Sequence, residues 1–143
     1  MPHEDELASV PLFSQLSRKD LVRIGRAVVE RNYKKGETIV KEGDQAVAFF
    51  MVVKGKVEVA RGIGPKKQKL NDLGPGSVFG EMALLDGGPR VATVRATEET
   101  ECLVLSRWDF VAELRTNPQV AVGMLPILSR RLREVEGRLG ETL

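Results

Sequence analysis

The sequence contains very few of the residues on which metal and nucleophile chemistry depends. Its 143 residues include one cysteine, Cys102, and one histidine, His3. A lone cysteine cannot form an intrachain disulfide, and a lone histidine cannot build a multi-histidine metal site. No motif places a base beside Cys102, so an activated nucleophile is not indicated either. We therefore predict that the protein is not an enzyme and that it holds no metal and no cofactor.

Long apolar stretches and a basic leader are also missing. No run approaches the roughly 18 apolar residues of a membrane span, and the N-terminal segment MPHEDELASV is acidic. The net charge of +2 gives no reason to expect a nucleic-acid or membrane partner. Cys102 lies among apolar neighbours, so we expect it to be buried and reduced. These features predict a soluble cytoplasmic protein.

The length and composition predict one domain over residues 1–143. Ser17 is a cap-like start for a helix over about 18–29. Residues 33–105 consist of short β-branched runs separated by glycines, which predict about eight strands in an antiparallel sandwich or barrel. Lys54-Gly55 is read as a hairpin turn and residues 62–67 as a looser one.

Helices are predicted again over about 107–139. Ser106 and Asp109 form a capping pattern, and Asn117-Pro118 restarts the helix. Pro126 predicts a kink or a fresh helix start near Leu125. Six apolar residues then follow a 4-3-4-3-4 spacing: Ala121, Leu125, Leu128, Leu132, Val135 and Leu139. This seam is expected either to pack on its own domain or to pair with a second copy or an effector protein.

Residues 79–94, FGEMALLDGGPRVATV, have the features of a phosphate-binding cassette. Gly80 follows a strand end and lets the backbone approach a ligand closely. Residues 81–85 can form one helical turn, whose first N–H groups suit an anion. The Asp86-Gly87-Gly88 turn and Pro89 then return Arg90 toward those amides, and a strand-like run over 91–95 follows.

Glu81 and Arg90 suggest a ligand with two kinds of group. A carboxylate accepts hydrogen bonds, for example from a sugar hydroxyl, whereas a guanidinium suits two phosphate oxygens. A sugar joined to a phosphate is a nucleotide. The alternative is a surface salt bridge between the two residues, which the full sixteen-residue pattern makes less attractive.

The same stretch resembles the signature of the cyclic nucleotide-binding domains of catabolite-activator-type regulators, kinase regulatory subunits and nucleotide-gated channels. The resemblance extends over about residues 11–139. The residues that match the family pattern are Phe79, Gly80, Glu81, Ala83, Leu84, Pro89, Arg90, Ala92, Thr93 and Val94.

The resemblance implies a fold, a ligand and a set of roles. The fold would be mainly β with flanking helices: an antiparallel, jelly-roll-like β-roll with a short N-terminal helix, a cassette helix and C-terminal helices. Glu81 would hold the ribose 2′-hydroxyl and Arg90 the cyclic phosphate, with the amides of Met82, Ala83 and Ala92 on the remaining phosphate oxygens. Val91 stands where many cAMP-binding members have Ala and cGMP-selective members have Thr or Ser, so cAMP is expected ahead of cGMP.

Two functions are therefore weighed. The first is a non-catalytic, ligand-sensing regulatory module without an appended output domain. The alternative is a fragment of a cyclic nucleotide-responsive transcription regulator that lacks its helix-turn-helix domain. The terminal arginines could be taken for a DNA contact, but a solvated helix face is the simpler interpretation.

Overall fold

The computed structural model describes residues 3–139, except the side chains of Ala83 and Leu139. The two ends of the predicted domain, residues 1–2 and 140–143, lie outside the described residues. Contacts divide the chain into two compact units, Ala27–Val111 and the combination of Met1–Arg26 with Ala112–Leu143. The fold is mainly antiparallel β with flanking helices, as the sequence predicted.

The unit Ala27–Val111 is a β-roll. Within the described residues it has eight strands in two four-stranded antiparallel sheets, ordered β1-β8-β3-β6 and β2-β7-β4-β5. The strands are β1 (Val29–Tyr33), β2 (Thr38–Val40), β3 (Ala48–Lys54), β4 (Val57–Arg61), β5 (Gln68–Leu73), β6 (Val78–Phe79), β7 (Thr93–Ala96) and β8 (Thr100–Ser106). The helix α3 (Ala83–Asp86) lies between β6 and β7, and α4 (Arg107–Thr116) follows β8. The strand count is thus confirmed, although the roll begins at Val29 and not at residue 33.

The core of the roll is built by alternate residues of its strands. Ala48, Phe50 and Val52 of β3 are buried together with residues of β4, β7 and β8, because successive side chains of a strand point to opposite faces. Cys102 is among them and is completely buried. This complete burial confirms the prediction of a small buried core residue. Burial also raises the pKa of its thiol to about 11.

The turn at Lys54-Gly55 is not a hairpin. β3 pairs with β6 and β8, whereas β4 pairs with β5 and β7, so this turn carries the chain from one sheet to the other. Gly55 is required there because its φ is +92° and an added Cβ would overlap the Glu99 carbonyl oxygen. The looser turn is a true hairpin between β4 and β5, closed by a 3-10 turn at Gly64–Lys66.

The other unit is helical. Its described elements are α1 (Glu4–Ala8), a 3-10 turn (Pro11–Phe13), α2 (Arg18–Arg26), the end of α4 from Ala112 on, and α5 (Gln119–Leu139). The Ser17 hydroxyl accepts a hydrogen bond from the Asp20 amide at 3.1 Å, which confirms the predicted cap of α2. The predicted end near residue 29 is wrong: α2 ends at Arg26, since the β-branched Val29 already belongs to β1. The helix α1, which the sequence analysis did not anticipate, buries Leu7.

A polar network ties α2 to the later helices of this unit. Arg23 is paired with Asp20, and its Nε donates to Glu113 at 2.8 Å. Gln119 also donates to Asp20 at 3.2 Å. Burial by itself would raise the pKa of Asp20, but the hydrogen bonds from Arg23, Ser17 and Gln119 outweigh it and hold the pKa below its usual range.

Of the two roles expected for the seam of α5, packing on its own domain is not the one that the helix shows, because it buries a different face. Val120, Met124 and Ile127 are the buried residues. The predicted seam is mostly exposed instead: Leu125 is 60% and Leu132 63% exposed, whereas Ala121 and Leu128 are partly buried. The side chain of Leu139 lies outside the described residues. The helix runs continuously through Pro126, so the expected fresh start is wrong.

The first turn of α4 places two aromatic residues in opposite environments. The Ser106 hydroxyl accepts a hydrogen bond from the Asp109 amide at 3.1 Å, which confirms this cap. Phe110 is buried, whereas Trp108, the only tryptophan of the chain, is 77% exposed. Within residues 3–139, no helix is long and apolar enough to cross a membrane.

Candidate functional site

The cassette folds as a strand, a tight glycine, a short helix and a returning strand. Gly80 follows β6 with a φ of +78°, a conformation that favours glycine. The helical turn expected over 81–85 forms as α3 at Ala83–Asp86, and the strand expected over 91–95 forms as β7 at Thr93–Ala96. Both elements are therefore present, displaced by one or two residues toward the C-terminus.

The return segment is tied to the loop that precedes β3. The Arg90 amide donates to the Asp44 carbonyl at 2.7 Å, and the Ala46 amide donates to the Gly88 carbonyl at 2.9 Å. A third bond runs from the Gly43 amide to the Arg90 carbonyl at 2.9 Å. These bonds hold the backbone of Arg90 on both sides, so its side chain starts from a defined point.

The Arg90 guanidinium lies directly against Gly80. A Cβ built on Gly80 would overlap Arg90 Nη1. Nη2 donates to the Ala48 carbonyl oxygen at 2.5 Å, and Cζ lies 5.6 Å from the centre of the Phe50 ring. Phe50 is itself stacked on Phe79, with ring centres 4.9 Å apart. Gly80 is thus needed for two reasons: its backbone conformation and the space that Arg90 occupies.

The charge of Arg90 is not neutralised by a side chain of the described residues 3–139. It forms no ion pair with a carboxylate of residues 3–139, so the alternative of a Glu81–Arg90 salt bridge is wrong. Burial lowers the pKa of Arg90, because a partly desolvated cation lacks a compensating anion. Arginine still keeps its proton at neutral pH. The site therefore presents a fixed positive charge that an anion can approach.

The other predicted site residues lie close to Arg90 in the sequence, and their exposure to solvent differs. Glu81 is half-buried, Met82 is 47% exposed, and Ala83 is the first residue of α3. Val91 is 70% exposed, whereas Ala92 is buried. The structure thus brings Gly80 and Arg90 into direct contact and presents Val91 to solvent.

The sequence analysis missed three contacts that hold Arg90 and Val91 in position. The Ala48 carbonyl holds Arg90, the ring of Phe50 lies beneath it, and Arg61 Nε donates to the Val91 carbonyl at 3.2 Å. A backbone carbonyl carries no signal in the sequence. Phe50 belongs to the apolar run FFMVV, in which no residue type marks it out.

A cleft at the other end of β3 is a poor alternative for an anion. It has a volume of about 460 Å³, and its lining includes Lys34, Lys54, Glu37, Glu99 and Glu101. Three carboxylates against two ammonium groups make its rim net negative, which disfavours a phosphate. The cassette is the better anion site.

Comparison with known proteins gives a consistent family assignment for the roll. The family model described as "Cyclic nucleotide-binding domain" matches residues 30–117. The cyclic AMP receptor protein of Thermus thermophilus is 40% identical over 127 residues, which are 88% of this chain and 59% of that protein. The chain thus spans less than two thirds of this relative.

Solved structures agree with the sequence comparison. The N-terminal domain of a transcriptional regulator from Streptomyces coelicolor superposes with a TM-score of 0.86 and 32% identity, over 94% of this chain and 95% of that one. The regulatory domain of Toxoplasma gondii PKA, crystallised with cAMP, gives a TM-score of 0.71 and 31% identity over 76% of this chain and 42% of that one.

Proposed function

Since the chain belongs to the cyclic nucleotide-binding domain family, we propose that it binds cAMP reversibly at the cassette and acts as a ligand-sensing regulatory module. Arg90 is the observation that carries the proposal. A half-buried guanidinium without a carboxylate partner in the described chain is an expensive arrangement unless an anion completes it. A cyclic phosphate supplies that anion.

The remaining roles follow the family pattern. Glu81 accepts a hydrogen bond from the ribose 2′-hydroxyl, and the amides of Met82, Ala83 and Ala92 donate to phosphate oxygens. Gly80 allows Arg90 to lie against the backbone. Two groups of opposite charge then address the sugar and the phosphate separately, which selects a nucleotide over inorganic phosphate.

We favour cAMP over cGMP on account of Val91. Its side chain is 70% exposed and offers no hydroxyl to the guanine amino group. The relatives point in the same direction, because one is named for cyclic AMP and another was crystallised with cAMP.

The site is proposed to bind without turnover. Hydrolysis of a cyclic phosphate needs a metal ion or a water-activating base. In the part of the chain that the structure describes, no cluster of His, Cys, Asp and Glu side chains is arranged to hold a metal ion. Reversible binding is also what a sensor requires, since ligand must leave when its concentration falls.

The decisive experiment replaces the proposed phosphate ligand. Arg90→Leu removes the guanidinium, and losing one partner of a buried charge pair costs about 2 to 5 kcal/mol, or roughly 30-fold to several thousand-fold in affinity. Calorimetric titration with cAMP measures it. Arg31→Leu on the exposed strand β1 is the matched control and should bind like the wild type. Equal affinity in Arg90→Leu and Arg31→Leu would remove Arg90 from the site.

The exposed seam of α5 is proposed to bind a second copy of the chain. Leu125 and Leu132 are seven residues apart, as are Leu128 and Val135, which is the spacing of a coiled-coil stripe. Leu132→Glu should convert a dimer to a monomer in sedimentation equilibrium, whereas the exposed Arg133→Glu should change little. A wild type that is monomeric at all concentrations would contradict the dimer, and the seam would then be assigned to an effector protein.

A second candidate function is the sensing part of a transcription regulator. The match to the N-terminal domain of the Streptomyces regulator favours it, because 95% of that domain is covered. Sequencing the gene that encodes this chain tests the idea, because its reading frame is then expected to continue into a helix-turn-helix segment.

A further inference from the structure

Arg107 makes a contact with the cassette that the family pattern does not include. It is the first residue of α4, and its Nη2 donates to the Leu85 carbonyl at 3.3 Å. Its side chain also lies along Gly87, where an added Cβ would come within 3.2 Å of Nε and 3.3 Å of Cδ. Arg107 therefore touches the chain on both sides of the last residue of α3.

The guanidinium of Arg107 is not placed there by an ordinary ion pair. It forms no salt bridge within residues 3–139, and its Nε is buried without a hydrogen-bond acceptor there. Buried donors are satisfied in most native structures, so an exception needs an explanation. Instead of pairing with a carboxylate, the Arg107 side chain packs against the end of the cassette at Leu85 and Gly87.

The helix α3 depends on such outside support because it is so short. It has four residues, and the chain enters it through two tight bonds, from the Leu84 amide to the Glu81 carbonyl at 3.2 Å and from the Leu85 amide to the Met82 carbonyl at 3.1 Å. One turn of helix is not stable by itself. The backbone of Arg107 is anchored independently, since its amide donates to the Val47 carbonyl at 2.8 Å. An anchored cation thus holds the carbonyl end of α3, where a positive charge also suits the helix dipole.

We propose that Arg107 is a positioning residue of the nucleotide site, which holds the carbonyl end of α3 so that the amides at its other end keep their aim at the phosphate. The inference rests on the proposed function. Arg107 contacts no ligand atom in this scheme. It acts through Leu85 and Gly87, so its removal weakens binding without changing which nucleotide is preferred.

The test compares three purified variants with the wild type. Arg107→Met keeps most of the stem and removes the donors, Arg107→Lys keeps a charge and a donor on a shorter reach, and Arg115→Met repeats the substitution at an exposed position of the same helix. Dissociation constants for cAMP and cGMP come from calorimetry, and urea unfolding without ligand gives the stability of each protein. Arg107→Met should weaken both nucleotides by the same factor, about 2- to 12-fold for one net hydrogen bond, with Arg107→Lys in between and Arg115→Met unchanged.

A purely structural residue would give a different result. It would lower the stability of the ligand-free protein and leave the affinity of the folded fraction unchanged, which overturns the proposal. A loss confined to one of the two nucleotides overturns it as well, because in this proposal Arg107 acts through Leu85 and Gly87 and not through the base. If Arg107→Met does not fold, Arg107→Lys decides by the same two readouts. A wild type that binds neither nucleotide overturns the proposed function together with this inference, whereas normal binding in all three variants overturns the inference alone.

Discussion

The contact between Gly80 and Arg90 allows the site to be perturbed without touching a proposed ligand side chain. In Gly80→Ala, the new methyl group overlaps Arg90 Nη1 and lies 3.1 Å from the Ala48 carbonyl oxygen. The end of a flexible side chain yields more easily than backbone, so Arg90 should be the part that moves. Gly76→Ala is the matched control: its φ is +89°, close to the +78° of Gly80, but its added Cβ meets nothing within 4 Å.

Both substitutions place alanine in the left-handed region and should lower the free energy of unfolding by about 1 to 2 kcal/mol. Only Gly80→Ala should also weaken cAMP. A hydrogen bond to a charged group contributes about 1.5 to 3 kcal/mol, so displacing the guanidinium predicts roughly a 10- to 150-fold loss. Urea unfolding and calorimetry measure the two effects separately. If Gly80→Ala and Gly76→Ala bound cAMP equally well, the placement of Arg90 against Gly80 would be irrelevant to binding.

Three further predictions concern single residues. Val91→Thr adds one hydroxyl and should improve cGMP binding about 2- to 12-fold, measured by competition, and no gain would show that Val91 does not set the choice of base. Asp20→Asn should lower the free energy of unfolding at pH 7 by about 1 to 3 kcal/mol. Since the pKa of Asp20 is depressed in the folded state, that difference should close as the pH falls below the ordinary value of 3.8; a gap that persists in acid contradicts the assignment. The pKa of Cys102 is raised from 9.0 to about 11, so between these pH values the folded state keeps a proton that the unfolded state loses. The free energy of unfolding should therefore fall by about 2 kcal/mol more in the wild type than in Cys102→Ala between pH 9 and 11. Parallel pH curves of unfolding for these two proteins would contradict it.

The elements that depend on local chemistry could be predicted from the sequence. Ser17 and Ser106 cap helices as expected because each hydroxyl needs only an amide three residues away. The glycine spacing gave eight strands for the same reason, since turn residues act locally. Cys102 was correctly expected in the core from its apolar neighbours.

Features that depend on distant partners could not be predicted. Nothing near Gly55 distinguishes a hairpin from a passage between sheets, because the difference lies in which strands accept β3 and β4. On α5, Leu125 and Met124 are neighbours in the sequence, yet Leu125 is exposed and Met124 is buried. Two apolar stripes with helical spacing coexist on that helix, and periodicity alone does not choose between them.

Trp108 can serve as an intrinsic fluorescence probe because of its position in α4. The indole is the only one in the chain, it is 77% exposed, and it immediately follows Arg107, whose guanidinium contacts the end of α3. Indole emission depends on the water around the ring, so a small adjustment of the first turn of α4 changes its wavelength or intensity. If the proposed nucleotide site is linked to α4 through Arg107, adding cAMP should change the emission of the unlabelled protein, and the same titration of Arg107→Met should show a smaller change.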